Sequence, residues 1–164
     1  MAAAANGHAA AVHVLIAAGA NVNMADTFGE TALLDAAREG HADVVKILLA
    51  AKANPKAADN FGNTVLMLAA SANSAESIRF LAATGLNLNS LGRGGWTPLM
   101  YAVMHHHAEV VRALLDAGAN PRIAASDDET TPLSIALSHD FRDIVAILRS
   151  VPRTAIDPNS SIKP

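Results

Sequence analysis

The chain has 164 residues, of which 51% are hydrophobic and only 4% aromatic, so a core must be built from small aliphatic side chains. A net charge of −3 and a pI near 6.1 give no electrostatic basis for binding duplex nucleic acid, and no nucleic-acid partner is expected. The absence of cysteine excludes disulfides and cysteine-bound zinc, and no apolar run reaches the roughly 18 residues of a membrane helix.

The first residues, MAAAANGH, have no basic segment ahead of the alanines and are not typical of a signal peptide. The compartment is therefore open, with a cytoplasmic location favoured.

One segment recurs along the chain at a fixed period. Thr31, Thr64, Thr97 and Thr131 are separated by 33, 33 and 34 residues, and a leucine follows each of them two positions later. Such a period is typical of a solenoid of stacked supersecondary units, none of which can bury its apolar face alone.

The period divides the chain into five predicted units. The first, residues 1–25, is truncated and keeps only residues 1–6 of its first helix. The others span residues 26–58, 59–91, 92–124 and 126–151, with one extra residue near Ala125. The tail, residues 152–164, contains three prolines and no helical period, which predicts disorder.

The second unit illustrates the predicted helices. Thr31 is placed to cap a first helix, and a second helix carries the apolar positions 44, 45, 48 and 49. In the third unit Ser77 takes the place of one branched aliphatic residue, so we expect that unit to pack less tightly.

Glycine follows the second helix in three units, at Gly19, Gly85 and Gly118, where a left-handed C-terminal residue is common. The equivalent residue of the second unit is Lys52. Because a side chain strains this conformation, we expect the end of that helix to be locally weak or to adopt another form.

Four short motifs resemble the ankyrin repeat: Thr97-Pro98-Leu99, Gly40-His41, the run VVKILL at residues 44–49 and GANVN at residues 19–23. The resemblance covers about residues 1–151. It implies an all-α solenoid of helix-turn-helix units with projecting β-hairpin-like fingers. It also implies that His8, His41 and His107 hydrogen-bond to backbone near the turns.

No catalytic constellation is found. There is no thiol nucleophile, no serine elbow motif and no carboxylate pair that stands apart from the repeat, so neither enzymatic activity nor a cofactor is expected. The run His105-His106-His107, together with His139, leaves a metal-responsive protein as an alternative. Consecutive helical residues diverge by about 100°, which argues against a native metal site. The glycines at 92, 94 and 95 fall in a finger, and a phosphate role is not expected.

In ankyrin proteins the fingers and first helices form a concave groove that binds partner proteins. The resemblance places ten candidate residues there: Phe28, Glu30, Arg38, Phe61, Asn63, Arg93, Trp96, Met104, His105 and His139. Trp96 with Arg93 is the favoured anchor, because Trp and Arg often dominate interface energetics. The alternative for Phe28, Phe61 and Trp96 is that these aromatic side chains pack within the protein.

These observations favour a non-catalytic interaction module, monomeric, with an unidentified protein partner. The truncated first unit keeps a second hypothesis open, in which the chain is a scaffold or regulatory segment of a longer polypeptide.

Overall fold

The computed structural model describes residues 1–152. Within this range the backbone forms ten α-helices in five consecutive pairs, together with a single 3-10 turn at Arg93–Gly95. The pairs are α1 (Ala2–Ala5) and α2 (Ala9–Ala17), α3 (Ala32–Arg38) and α4 (Ala42–Ala50), α5 (Val65–Ser71) and α6 (Ala75–Ala82), α7 (Pro98–Met104) and α8 (Ala108–Asp116), and α9 (Pro132–Ser138) and α10 (Arg142–Ser150).

The helices stack in two layers. The first helices α1, α3, α5, α7 and α9 contact one another in chain order, and so do the second helices α2, α4, α6, α8 and α10. Each first helix also packs against the second helix of its own pair. The predicted all-α solenoid is thus confirmed, since every pair is covered by its neighbours rather than by a central core.

Threonine begins four of the first helices, as its spacing predicts. The side-chain oxygens of Thr31, Thr64, Thr97 and Thr131 each accept a hydrogen bond from the backbone N–H three residues later, at 3.1 to 3.4 Å. Proline follows two of them, at the first helical position, where its missing N–H leaves no bond unmade. Each helix start is therefore specified locally.

The core is aliphatic along its whole length. Leu33, Leu66, Leu99 and Ile144 are among the largest side chains that are completely buried. Every residue from 65 to 70 in the third pair is buried, and the looser packing expected of that unit stays a prediction. Ser77 is itself inaccessible, and its hydroxyl lies 2.7 Å from that of Ser74.

Lys52 keeps the left-handed conformation that glycine adopts in three of the other four pairs. Its φ is +67°, against +84°, +77° and +98° at Gly19, Gly85 and Gly118. The closing bonds are also retained: the amide of Ala53 donates to the carbonyl of Leu48 at 2.9 Å. The helix end has not adopted another form, so any strain is stored there rather than released.

No helix within residues 1–152 is long and apolar enough to span a membrane. The predicted disordered tail lies, apart from Pro152, outside the described residues.

Candidate binding surface

Each of the last four helix pairs is preceded by a short hairpin-like finger. The four fingers span residues 26–30, 59–63, 92–96 and 125–130, and in each the first amide donates to the last carbonyl at 2.8 to 3.1 Å. The carboxylate of Asp26 accepts from the amides of Phe28 and Glu30, and Asp59 makes the same bonds in the second finger. The extra residue of the last repeat interval lies inside the fourth finger. We refer to the fingers and helices α3, α5, α7 and α9 together as the finger surface.

Hydrogen bonds join the first finger to the second. The amide of Asn60 donates to the carbonyl of Phe28 at 2.9 Å, and its side-chain amide donates to the carbonyl of Thr27 at 3.1 Å. A side chain in place of Gly29 would collide with Asn60, since an added Cβ would lie 2.7 Å from its Oδ1. The first two fingers therefore form one hydrogen-bonded unit.

The third finger is not joined to the second in this way. The equivalent bond reappears between the third and fourth fingers, where the amide of Ser126 donates to the carbonyl of Gly94 at 2.9 Å. Within residues 1–152, however, no backbone hydrogen bond links residues 59–63 to residues 92–96. The finger surface is therefore divided into two halves between Phe61 and Arg93.

The three finger aromatics occupy different environments. Phe28 and Phe61 are 60% and 63% exposed. Trp96 is half-buried, and its ring lies 5.5 Å from that of Tyr101 on α7, at an interplanar angle of 59°. One part of the Trp96 side chain therefore packs against the protein, whereas the two phenylalanines project into solvent. Arg93, beside Trp96, is exposed.

An ion-pair network joins the two fingers that carry Phe28 and Phe61. The guanidinium of Arg38 on α3 binds Glu30 in the first finger and lies 3.5 Å from Asp59 in the second. The Asp59 side chain is only 1% exposed and also accepts a hydrogen bond of 2.7 Å from the side chain of Asn63. Arg38 thus links α3 to two fingers. The sequence analysis did not identify Asp59 as a partner of Arg38, although Asp59 lies one period after Asp26.

The network has more negative than positive charge, and this affects its acid-base behaviour. Burial raises the pKa of Glu30 above its ordinary value, and Arg38 only partly offsets the effect. The carboxylates of Asp59, Asp35 and Asp26 raise that pKa further. The second oxygen of Glu30, Oε2, is buried and meets no hydrogen-bond partner within residues 1–152.

Asp59 shows the opposite shift. Burial alone would raise its pKa, but hydrogen bonds from Asn63 and from the amide of Phe61 outweigh it. The charge of Arg38 acts in the same direction, so the pKa of Asp59 lies below its ordinary value.

Asp35 lies on α3 where the other pairs carry Leu68, Tyr101 and Ile135. It is half-buried, and burial raises its pKa. The amino terminus of Met1 and the guanidinium of Arg38 partly counter this shift. Asp35 therefore adds a carboxylate to the network, although it forms no direct ion pair with any of the described residues.

The remaining candidates lie toward the other end of the surface. Met104 is half-buried against the core, whereas His105 and His139 are exposed. His139 donates to the carbonyl of Ile135 at 3.0 Å and stacks on Phe141 with 5.3 Å between ring centroids. These residues are far along the stack from Phe28, so the ten candidates form no single compact site.

The geometry of this chain agrees with its similarity to one family. The model described as "Ankyrin repeats (3 copies)" matches residues 1–91 and again residues 84–161. The chain belongs to the ankyrin repeat family. No curated protein matches it significantly. Ankyrin repeats generally serve as protein–protein interaction modules, and the family is typically non-catalytic.

Two of the three histidines that this ankyrin repeat chain places at its turns form the expected bonds, whereas the exposed side chain of His8 forms no hydrogen bond within residues 1–152. The Nε2–H of His41 donates to the carbonyl of Ala5, and that of His107 to the carbonyl of Ser71, both at 3.0 Å. Each bond joins neighbouring helix pairs. Among residues 1–152, no group of three or more histidine, aspartate or glutamate side chains is placed to hold a metal ion.

The charges of the ankyrin repeats are unevenly distributed between the two layers. The fingers and first helices, with the turns that directly follow those helices, carry nine acidic residues: Asp26, Glu30, Asp35, Glu39, Asp59, Asp127, Asp128, Glu129 and Asp140. Only two basic residues, Arg38 and Arg93, lie in the same segments. The second helices and the loops after them, within the described chain, carry five acidic residues: Asp43, Glu76, Glu109, Asp116 and Asp143. They carry eight basic ones: Lys46, Lys52, Lys56, Arg79, Arg112, Arg122, Arg142 and Arg149. The finger surface is therefore acidic although the whole chain is nearly neutral.

Proposed function

We propose that the protein is a non-catalytic interaction module that binds a partner polypeptide on its finger surface, which is concave in this family. The observation that carries the proposal is the exposure of Phe28 and Phe61 at the tips of two adjacent fingers. Large apolar side chains grouped on the surface of a soluble domain are typical of interaction sites.

The hydrogen bonds between the first two fingers support this assignment. Because Asn60 fixes the second finger to the first, the two phenylalanines are held in place before a partner arrives. Binding then costs less entropy than it would at a flexible loop, because the site is already ordered. Glu30, Arg38 and Asn63 supply polar groups around this apolar pair.

The second half of the surface supplies a separate contact. Arg93 is exposed, and the half-buried Trp96 offers the part of its ring that does not face Tyr101. Met104, His105 and His139 extend this half along α7 and α9. A polypeptide that follows the fingers would meet the phenylalanines first and these residues afterwards.

Affinity capture from a lysate, followed by mass spectrometry, tests the proposal. We expect the paired substitutions Phe28→Ser and Phe61→Ser to remove partners that the unchanged protein retains. Arg93→Ala tests the second half without disturbing the ring of Trp96. Val14→Ser is the matched control, because Val14 is 68% exposed but lies on α2 in the other layer.

Circular dichroism of each variant checks that the helices remain intact. If capture is the same for the unchanged protein and for both finger-surface variants, the proposed surface is wrong.

A further inference from the structure

The two fingers that present the exposed phenylalanines also carry negative charge. Asp26 and Glu30 belong to the same finger as Phe28, and Asp59 begins the finger of Phe61. The mutual effect of these carboxylates on the pKa of Glu30 places them within electrostatic reach of one another. Arg38 is the basic side chain that pairs with this group, and it is shared between Glu30 and Asp59.

The charge of these fingers therefore favours some classes of partner over others. An acidic segment or a nucleic-acid backbone would bring further negative charge to carboxylates that already repel one another. A lysine or arginine would instead be attracted, and it would add the positive charge that Arg38 alone does not supply. The unpartnered oxygen of Glu30 is consistent with this shortage of donors.

We propose that Phe28, Phe61 and the carboxylates around them bind a lysine- and arginine-rich polypeptide segment that also carries an aromatic or branched aliphatic side chain. The apolar side chain packs against the two rings while the basic side chains approach Glu30, Asp35 and Glu39. This inference rests on the proposed function, because it specifies the partner for the same surface.

Selection from a random-peptide phage library on the immobilised protein tests the chemistry of the partner. We expect the enriched peptides to carry net positive charge together with at least one aromatic or branched aliphatic residue. A fluorophore-labelled synthetic copy of the most enriched peptide then serves as the probe for anisotropy titrations. Its binding should weaken as salt is added, since exposed charges are screened over about 10 Å at 0.1 M ionic strength.

Two variants separate the apolar contribution from the charge. Phe28→Ser with Phe61→Ser should weaken probe binding by tenfold or more, the usual effect of truncating a central aromatic contact. Asp35→Asn with Glu39→Gln removes two charges while leaving the bonds of Asp26, Glu30 and Asp59 intact. We expect roughly a two- to fivefold loss per carboxylate, typical of exposed ion pairs.

The controls lie in the other layer. Val14→Ser and Glu109→Gln remove an exposed apolar side chain and an exposed charge from the second helices, and neither should alter probe binding.

Three results would overturn the inference. Enriched peptides that are neutral or acidic, yet lose binding with the phenylalanine variant, would refute the basic partner and leave the proposed function intact. A selection that enriches no peptide, or a probe whose affinity is the same for the unchanged protein and every finger-surface variant, would refute both this inference and the proposed function. A dimer seen by light scattering that Phe28→Ser with Phe61→Ser dissociates would make a second copy of this chain the occupant.

Discussion

Replacing Lys52 by glycine should stabilise the protein. Lys52 holds a φ of +67° after α4, in the position where Gly19, Gly85 and Gly118 follow α2, α6 and α8. The left-handed region costs a residue with a Cβ about 1 to 2 kcal/mol relative to its preferred conformation, and glycine avoids that cost. Lys52 is exposed, so truncating its side chain removes no buried contact.

The size of the gain follows from two opposing effects. Relief of the strain contributes about 1 to 2 kcal/mol, while the greater freedom of glycine in the unfolded chain takes back about 0.4 to 1 kcal/mol. A net increase of about 1 kcal/mol in the free energy of unfolding remains. For a chain of this length it corresponds to a rise of about 2 to 4 °C in Tm.

Urea unfolding followed by far-ultraviolet circular dichroism measures the effect. The dependence of the free energy of unfolding on urea concentration should stay constant, because a change in it would indicate a change in the compactness of the folded or unfolded state. Lys52→Ala is one control: it keeps the Cβ, so it should not reproduce the gain. Gly118→Ala is the other, because an added Cβ there meets no atom within 4 Å and the substitution tests conformation alone. It should cost about 1 kcal/mol. An unchanged or lower stability of Lys52→Gly, with Gly118→Ala destabilised, would refute the argument.

Three further predictions concern the surface and its charges. Phe28→Ser with Phe61→Ser should change the free energy of unfolding by no more than about 0.5 kcal/mol, because both rings are largely exposed; a larger loss in urea titrations would mean that they pack. Asp35→Asn should raise Tm at neutral pH, because the raised pKa of Asp35 makes its ionised form destabilising. That difference should be present above the folded-state pKa and vanish below the unfolded-state pKa; thermal melts showing the same difference at acid pH would contradict it. His106→Ala should return the pKa of Asp143 toward its ordinary value, since the hydrogen bond of 2.8 Å from His106 is the main cause that lowers it. A carboxyl titration by NMR that leaves this pKa low would show another cause.

Local chemistry made much of the fold predictable from the sequence. A threonine at each helix start satisfies a backbone N–H within three residues of itself, so its effect needs no distant partner. The 33-residue period then implies that one unit stacks on the next, because a short helix pair cannot bury its apolar face alone. Even the extra residue of the last interval could be placed near Ala125 by counting.

The packing of the third pair could not be predicted in this way. Ser77 interrupts an apolar stripe, which favours a looser unit. In the structure its hydroxyl meets that of Ser74, one helical turn away, so the buried polar group has a hydrogen-bond partner. The pattern of apolar residues does not contain this compensation, because it depends on the geometry of two side chains.

Sequence alone thus determined the helix pairs, their caps, their order and their family, since each depends on residues close in the chain or on the repeat itself. Only the tertiary structure decided which finger residues are available. Phe28, Phe61 and Trp96 occupy similar segments, but the ring of Trp96 meets that of Tyr101 from α7. The two phenylalanines project into solvent and meet no aromatic ring in the described part of the chain. The tertiary structure also decided the ion pairs of Arg38, which binds Glu30 and lies close to Asp59 of the next finger. Exposure and pairing depend on contacts between units, and the stacking of one pair on another creates those contacts.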